Sequence, residues 1–256
     1  MTPIDAFILG IVEGITEFLP VSSTGHLILT SSLLGIASSD FVKSFEIIIQ
    51  LGAILAVVVL YFKSFFDWEV LKRLVVAFIP TGIIGLALYH VVKTYLLGND
   101  TIVLWSLALG GLALICFEMI HVESSEAVAD VRAITYKQAA SLGVFQAIAI
   151  IPGVSRSAAT IVGGLLMGIN RQTIVKFSFL LAVPTMIAAS GLDLVKSGAA
   201  FSGADYTILA IGFVVSFAVA LFAVKWLLSY IREHTFTIFG WYRVLAALAF
   251  YFFIVR

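Results

Sequence analysis

The sequence predicts an all-α polytopic membrane protein, with six transmembrane helices and two re-entrant helix–loop–helix hairpins in an inverted-topology repeat. Three observations predict it. Of the 256 residues, 61% are hydrophobic and only 12% are charged, where a soluble domain carries about a quarter charged residues. The apolar excess runs along the whole chain, giving a mean hydropathy of +1.12, so it is not one anchor on a soluble body. Two polar segments, 13–26 and 152–160, interrupt apolar sequence where the flanking runs are too short to cross a bilayer.

A membrane-crossing helix needs about 20 mostly apolar residues, and runs of roughly 10–14 suggest re-entrant pieces. Six stretches are long enough: 45–62, 75–92, 102–120, 177–195, 207–230 and 238–255. Residues 5–19 are apolar but broken by Glu13, Glu17 and Pro20, and 27–36 is a short second piece. Likewise 139–151 stops at Pro152-Gly153, and 158–170 follows. Each pair reads as a hairpin that enters the membrane and returns. Non-helical backbone at that depth is tolerated only where it is buried in protein or lines a wet cavity, so both loops should face the interior.

The two halves match at an offset of 133 residues: Gly10 with Gly143, Glu13 with Gln146, Val21-Ser22 with Val154-Ser155, Leu33 with Leu166, and Gly35-Ile36 with Gly168-Ile169. After a one-residue slip, Phe45 matches Phe177. The chain thus reads as a single integral membrane domain over 1–256, with repeat 1 at about 4–120 and repeat 2 at about 137–256. Each half holds one hairpin and three spans. Three is odd, so the second half is inverted, and an inverted repeat places its site near the midplane where the broken helices meet.

Charge gives the orientation and excludes some functions. Fifteen basic residues balance fifteen acidic ones, which leaves no basic field for nucleic acid. Nine basic residues (Lys63, Lys72, Arg73, Arg132, Lys137, Arg171, Lys176, Lys225 and Arg232) fall on one face against four (Lys43, Lys93, Lys196 and Arg256) on the other. The positive-inside rule puts the nine in the cytoplasm. Both termini are then outside, the first hairpin enters from outside, and the polar loop at about 122–133 is cytoplasmic. The amino terminus has no basic region or small-residue cleavage pattern, so the first apolar segment should remain in the mature protein. The one cysteine, Cys116, excludes an internal disulfide framework and reads as a buried, inert thiol.

The first polar segment carries the carboxylates. Glu13 and Glu17 are four apart and share a helix face. Each charged carboxylate in a membrane helix costs roughly 2.5–3.5 kcal/mol, and two stacked ones repel. A divalent cation, a shared proton or a facing guanidinium would tolerate them. Gly14 between them admits a close backbone or ligand. Pro20 ends the helix, and Ser22, Ser23 and Thr24 open the next, where hydroxyls cap a helix and its N-terminus attracts anions. His26, just inside, can carry protons near neutral pH. Glu46 and Gln50 are a second pair four apart, placed either to brace the Glu13–Glu17 helix or to sit near the interface. Asp193 and Lys196 read as interfacial, and Arg243 as paired with a structural carboxylate or snorkelling.

The second segment carries the cation. Arg156 lies deep in apolar sequence, cannot deprotonate and therefore needs an anion. Its planar fork suits phosphate or carboxylate bidentately. Ser155, Ser157 and Thr160 add hydroxyls at a helix start, which makes an anion cradle. Arg156 could equally pair with Glu13 or Glu17. Carboxylates, an arginine, hydroxyls and a histidine together suit phosphoryl chemistry. There is no Walker glycine-lysine loop to suggest nucleotide hydrolysis.

The run Glu-Gly-Ile-Thr-Glu-Phe-Leu-Pro-Val-Ser-Ser-Thr-Gly-His from Glu13, and Pro-Gly-Val-Ser-Arg-Ser-Ala-Ala-Thr from Pro152, closely resemble the two signature segments of the bacterial undecaprenyl-diphosphatase (bacitracin-resistance) family. The resemblance extends over essentially the full chain, including the segments beginning at Phe45 and Phe177. It implies a membrane phosphatase of the bacterial cytoplasmic (inner) membrane, with its site facing the outer side. The implied substrate is undecaprenyl diphosphate, a C55 carrier of cell-wall precursors, and the implied cofactor is a divalent cation, Mg²⁺ or Ca²⁺. For that reaction the residues' own chemistry leads us to expect Glu13 and Glu17 to hold the cation, and Arg156, with Ser155, Ser157 and Thr160, to grip the phosphoryl group alongside Ser22 and Thr24, Ser22 being the runner-up to Ser23 for the hydroxyl role. Ser23 attacks phosphorus with His26 as proton carrier, or His26 activates water, or His26 is itself the nucleophile. Membrane lipids are partners, and a second copy of the chain is a candidate partner. A transporter of polyprenyl phosphate through the same midplane site is the competing class.

Overall fold

The computed structural model describes residues 1–37, 39–96, 100–197 and 203–255. Among the described residues ten α-helices follow one another: α1 (Pro3–Thr16), α2 (Ser23–Leu33), α3 (Asp40–Leu60), α4 (Trp68–Val91), α5 (Asp100–Ile120), α6 (Tyr136–Ile148), α7 (Arg156–Leu166), α8 (Arg171–Ser197), α9 (Gly203–Tyr230) and α10 (Thr237–Phe250). Helix starts are written in the sequence. Thr2 and Asp5 form a capping box on α1 with Pro3 at its first position, and Thr135 and Gln138 form one on α6. Ser39 caps α3 and Asp67 caps α4, so both spans begin several residues before their apolar runs.

Among the described residues five helices, or stretches of them, are long and apolar enough to cross a membrane: Asp40–Leu60, Trp68–Val91, Asp100–Ile120, Arg171–Leu192 and Asp205–Tyr230. The sixth expected span, 238–255, is instead a shorter apolar helix, Thr237–Phe253. Helices α1, α2, α6 and α7 have 14, 11, 13 and 11 residues. At 1.5 Å per residue the longest reaches only about 21 Å, short of a hydrocarbon core of about 30 Å.

Packing pairs the elements in a recurring way. Helix α1 lies on α9 and α2, and α6 lies on α4 and α7; α3 packs on α8 and α9, α4 on α8, and α5 on α10. Glycines let backbones meet at these crossings. A Cβ on Gly14 would fall 2.7 Å from the Ser216 carbonyl oxygen of α9, so glycine lets α1 press directly on α9 between Glu13 and Glu17. Such small-residue contacts take the place of the hydrophobic effect between helices in lipid. The backbone also recurs at the offset of 133. Ser22 and Ser155 take φ of 74° and 72°, and Gly35 and Gly168 take 67° and 73°.

At one end, polar contacts tie the connections together. Arg132 pairs with Asp67, Arg73 donates to the Ile134 carbonyl at 2.6 Å, and Arg171 pairs with Glu118 at 2.5 and 2.9 Å. The Val128 backbone pairs with Gly168 and Asn170. Arg73, Arg132, Arg171 and Lys176, the last lying over the Tyr61 ring, all belong to the nine-member basic set. Cys116 is exposed on the outside of α5 rather than buried; an apolar run does not say which of its positions face lipid. The side chains of Asp193 and Lys196 lie outside the described residues.

Candidate active site

The two loops between the short helices meet in the interior. Pro20 and Pro152-Gly153 end the incoming helices, and the chain reverses through Ser22 and Ser155 at positive φ. A serine held there carries strain of about 1–3 kcal/mol, which persists only where the surroundings over-determine it. The reversal aims the first residues of α2 and α7, Ser23 and Arg156, at a common point.

That point is Glu17, the residue that closes α1. Its Oε2 accepts from Ser23 Oγ at 2.6 Å and its Oε1 from Arg156 Nη2 at 2.9 Å. Arg156 Nη1 also donates to the Ser178 carbonyl at 3.1 Å. The Arg156 and Glu17 side chains are only 12% and 4% exposed, so the pair is poorly screened and its geometry is tightly held. A cavity of about 120 Å³ opens against Glu17, Ser22, Ser23, Thr24, Ser155 and Arg156, with Ala149, Ile151 and Met186 as an apolar wall.

The other predicted residues stand around this cavity. Glu13 is completely buried, and neither carboxylate oxygen has a partner among the described residues. A buried polar atom without a partner is costly, so Glu13 calls for a cation or a proton. His26 does not line the cavity: Nδ1 lies 2.8 Å from the Ser22 carbonyl and Nε2 lies 2.8 Å from the Tyr242 hydroxyl. Ser155 caps α7 by accepting from the Ala158 amide at 3.2 Å. No described side chain caps α2. Ser157 donates to the Leu19 carbonyl at 2.8 Å, and so locks the two loops together. Thr160 is fully buried against Ser178 Oγ at 2.6 Å. Neither hydroxyl lines the cavity.

From sequence, Tyr242 was missed and Arg243 was misjudged. Tyr242 holds His26 from 216 residues away, and no local pattern announces such a contact. Arg243 is fully buried and donates to five carbonyl oxygens rather than to a carboxylate or an interface. Gln146, at the position matching Glu13, donates to Thr81 at 3.1 Å and Thr185 at 3.0 Å. Glu46 accepts from Ser31 Oγ of α2 at 3.1 Å, so its hydrogen bond goes to α2 and not to the Glu13–Glu17 helix.

The donor set suits a divalent cation in one respect, the two orphaned oxygens of Glu13 beside Glu17. Among the described residues no group of three or more His, Cys, Asp or Glu side chains is gathered to hold a metal.

Fold and site together define a multi-pass helical membrane protein with one buried carboxylate–hydroxyl–guanidinium centre. Residues 6–249 match the family model described as bacitracin resistance protein BacA. The chain belongs to that family. It is 56% identical over 251 residues to a protein of Aquifex aeolicus named undecaprenyl-diphosphatase, covering 98% of each chain. Proteins of the same name from Sulfurihydrogenibium sp. and Wolinella succinogenes are 52% and 49% identical, covering 97–99% of the chains.

Proposed function

We propose that the chain hydrolyses undecaprenyl diphosphate to undecaprenyl phosphate and inorganic phosphate, recycling the lipid carrier of cell-wall synthesis. The relatives' name supplies the substrate. The observation that carries the chemistry is the single Glu17 carboxylate bonded to both Ser23 and Arg156.

Glu17 accepts from the Ser23 hydroxyl and so can take its proton as Oγ attacks the terminal phosphorus. Undecaprenyl phosphate leaves. Water then cleaves the phosphoseryl bond and releases inorganic phosphate. Arg156 exchanges part of its bonding from Glu17 to the phosphoryl oxygens, and stabilises their transition-state charge. The α2 start, lacking a described side-chain cap, offers amides to the same anion. His26 is held at both ring nitrogens, which favours a proton-carrying and orienting role over direct attack. Glu13, with Glu17, would hold Mg²⁺ or Ca²⁺. The cation supplies charge neutralisation of the diphosphate oxygens when bound.

The same proposal covers topology. The short helix pairs α1–α2 and α6–α7 are the two re-entrant hairpins of an inverted repeat, and the matched φ values 133 residues apart support this reading. The basic set at one end supports a cytoplasmic assignment for that end, with the cavity facing the outer side of the inner membrane. The test is phosphate release from the C55 diphosphate by purified protein in detergent. Release there, where there are no two sides, separates hydrolysis from transport.

A further inference from the structure

The five N–H groups of Arg243 are matched one for one. Nη1 donates to the Pro20 and Val154 carbonyls at 3.4 and 3.2 Å, and Nη2 to those of Gly153 and Ser106 at 2.9 and 3.0 Å. Nε donates to the Leu107 carbonyl at 3.4 Å. A guanidinium offers five donors in a rigid fork, so this one is fully used without a carboxylate. Two of its acceptors, Pro20 and Gly153, are related by the offset of 133, and each precedes a positive-φ serine by two residues. One side chain therefore grips the equivalent carbonyl in both loops and anchors both to α5.

Helix α5 is shaped for this. A Cβ on Gly110 would lie 2.8 Å from Arg243 Cζ, and one on Gly111 3.0 Å from Arg243 Cβ. The glycine pair opens the passage through which the side chain crosses. Arg243 does not line the cavity, so it has no direct contact to offer a substrate there.

We propose that Arg243 is a positioning residue for phosphoryl transfer: it fixes the separation of the loops that present Ser23 and Arg156 to Glu17. The proposal rests on the phosphatase reading. A lysine has three donors on a flexible stem and no fork, so it keeps the charge but cannot span both loops and α5. Gly110→Ala keeps Arg243 and displaces its guanidinium.

The experiment compares wild type, Arg243→Lys and Gly110→Ala, each purified in detergent and judged folded by gel filtration and thermal unfolding. Phosphate release from the C55 diphosphate gives kcat and KM per folded protein. Misplacing reacting groups by about 1 Å costs roughly 100-fold, so kcat should fall roughly 10- to 100-fold in both variants while KM moves by less than about threefold. A folded variant of either kind with wild-type kcat overturns the proposal, as does a loss confined to the yield of folded protein. If Arg243→Lys does not fold, Gly110→Ala decides alone. An inactive wild type overturns the phosphatase reading and the positioning role with it; an active wild type with active variants overturns the positioning role alone.

Discussion

Ser23 and Arg156, 133 residues apart in sequence, occupy the first positions of α2 and α7 and share the carboxylate of Glu17 at 2.6 and 2.9 Å. Residues at matched places in two loops have thus taken complementary roles, one a hydroxyl and the other a cation. The carboxylate between them keeps the cation neutralised and the hydroxyl oriented.

Arg156→Lys removes the fork that spans Glu17 and the Ser178 carbonyl. Loss of a single oriented donor to a developing charge costs roughly 100- to 1000-fold in kcat. A fall of that order, measured in single-variant kinetics, is the expected outcome. Near-wild-type turnover would remove the clamp from the mechanism.

Glu17→Gln leaves Arg156 without its counter-charge. Breaking a buried pair costs up to about 3–5 kcal/mol, so thermal unfolding should shift down as turnover is lost. A variant that is both stable and active would show that the shared carboxylate is dispensable.

Glu13→Gln separates the cation role from structure. No described hydrogen bond is lost, because both oxygens are unpartnered. In chelator the variant should unfold at or above the wild-type temperature. A bound ligand at 100-fold over its Kd stabilises by about 2.7 kcal/mol, so added Mg²⁺ should raise the wild-type midpoint and leave the variant unmoved. Equal stabilisation of both would take the cation away from Glu13.

Tyr242→Phe and His26→Gln test the proton path. Tyr242 is bonded to His26 Nε2, so its removal should displace one limb of the pH–rate profile, and His26→Gln should abolish that limb. Wild-type profiles in both would exclude His26 from proton transfer.

The broken helices and their polar loops were legible because Pro20, Pro152-Gly153 and the paired glutamates are local signals. The capping residues Ser39 and Asp67 extended two spans beyond their apolar runs, which hydropathy alone does not register. The Ser22 and Ser155 reversals were not legible, since serine carries no intrinsic preference for positive φ. Arg243 and Tyr242 were opaque for another reason. Their partners lie from 89 to 223 residues away, and only packing of α10 between α5 and the loops determines them. Ser157 and Thr160 sit at a helix start, and their contacts to Leu19 and Ser178 depend on packing that no local pattern announces.

The most direct test of the shared centre is phosphate release from the C55 diphosphate by purified wild type, Ser23→Ala and Glu17→Gln, each with and without chelator. Cation-dependent release by wild type alone, with both variants folded and inactive, is the predicted result. Full release by either variant, or none by the wild type with cation present, would contradict the account.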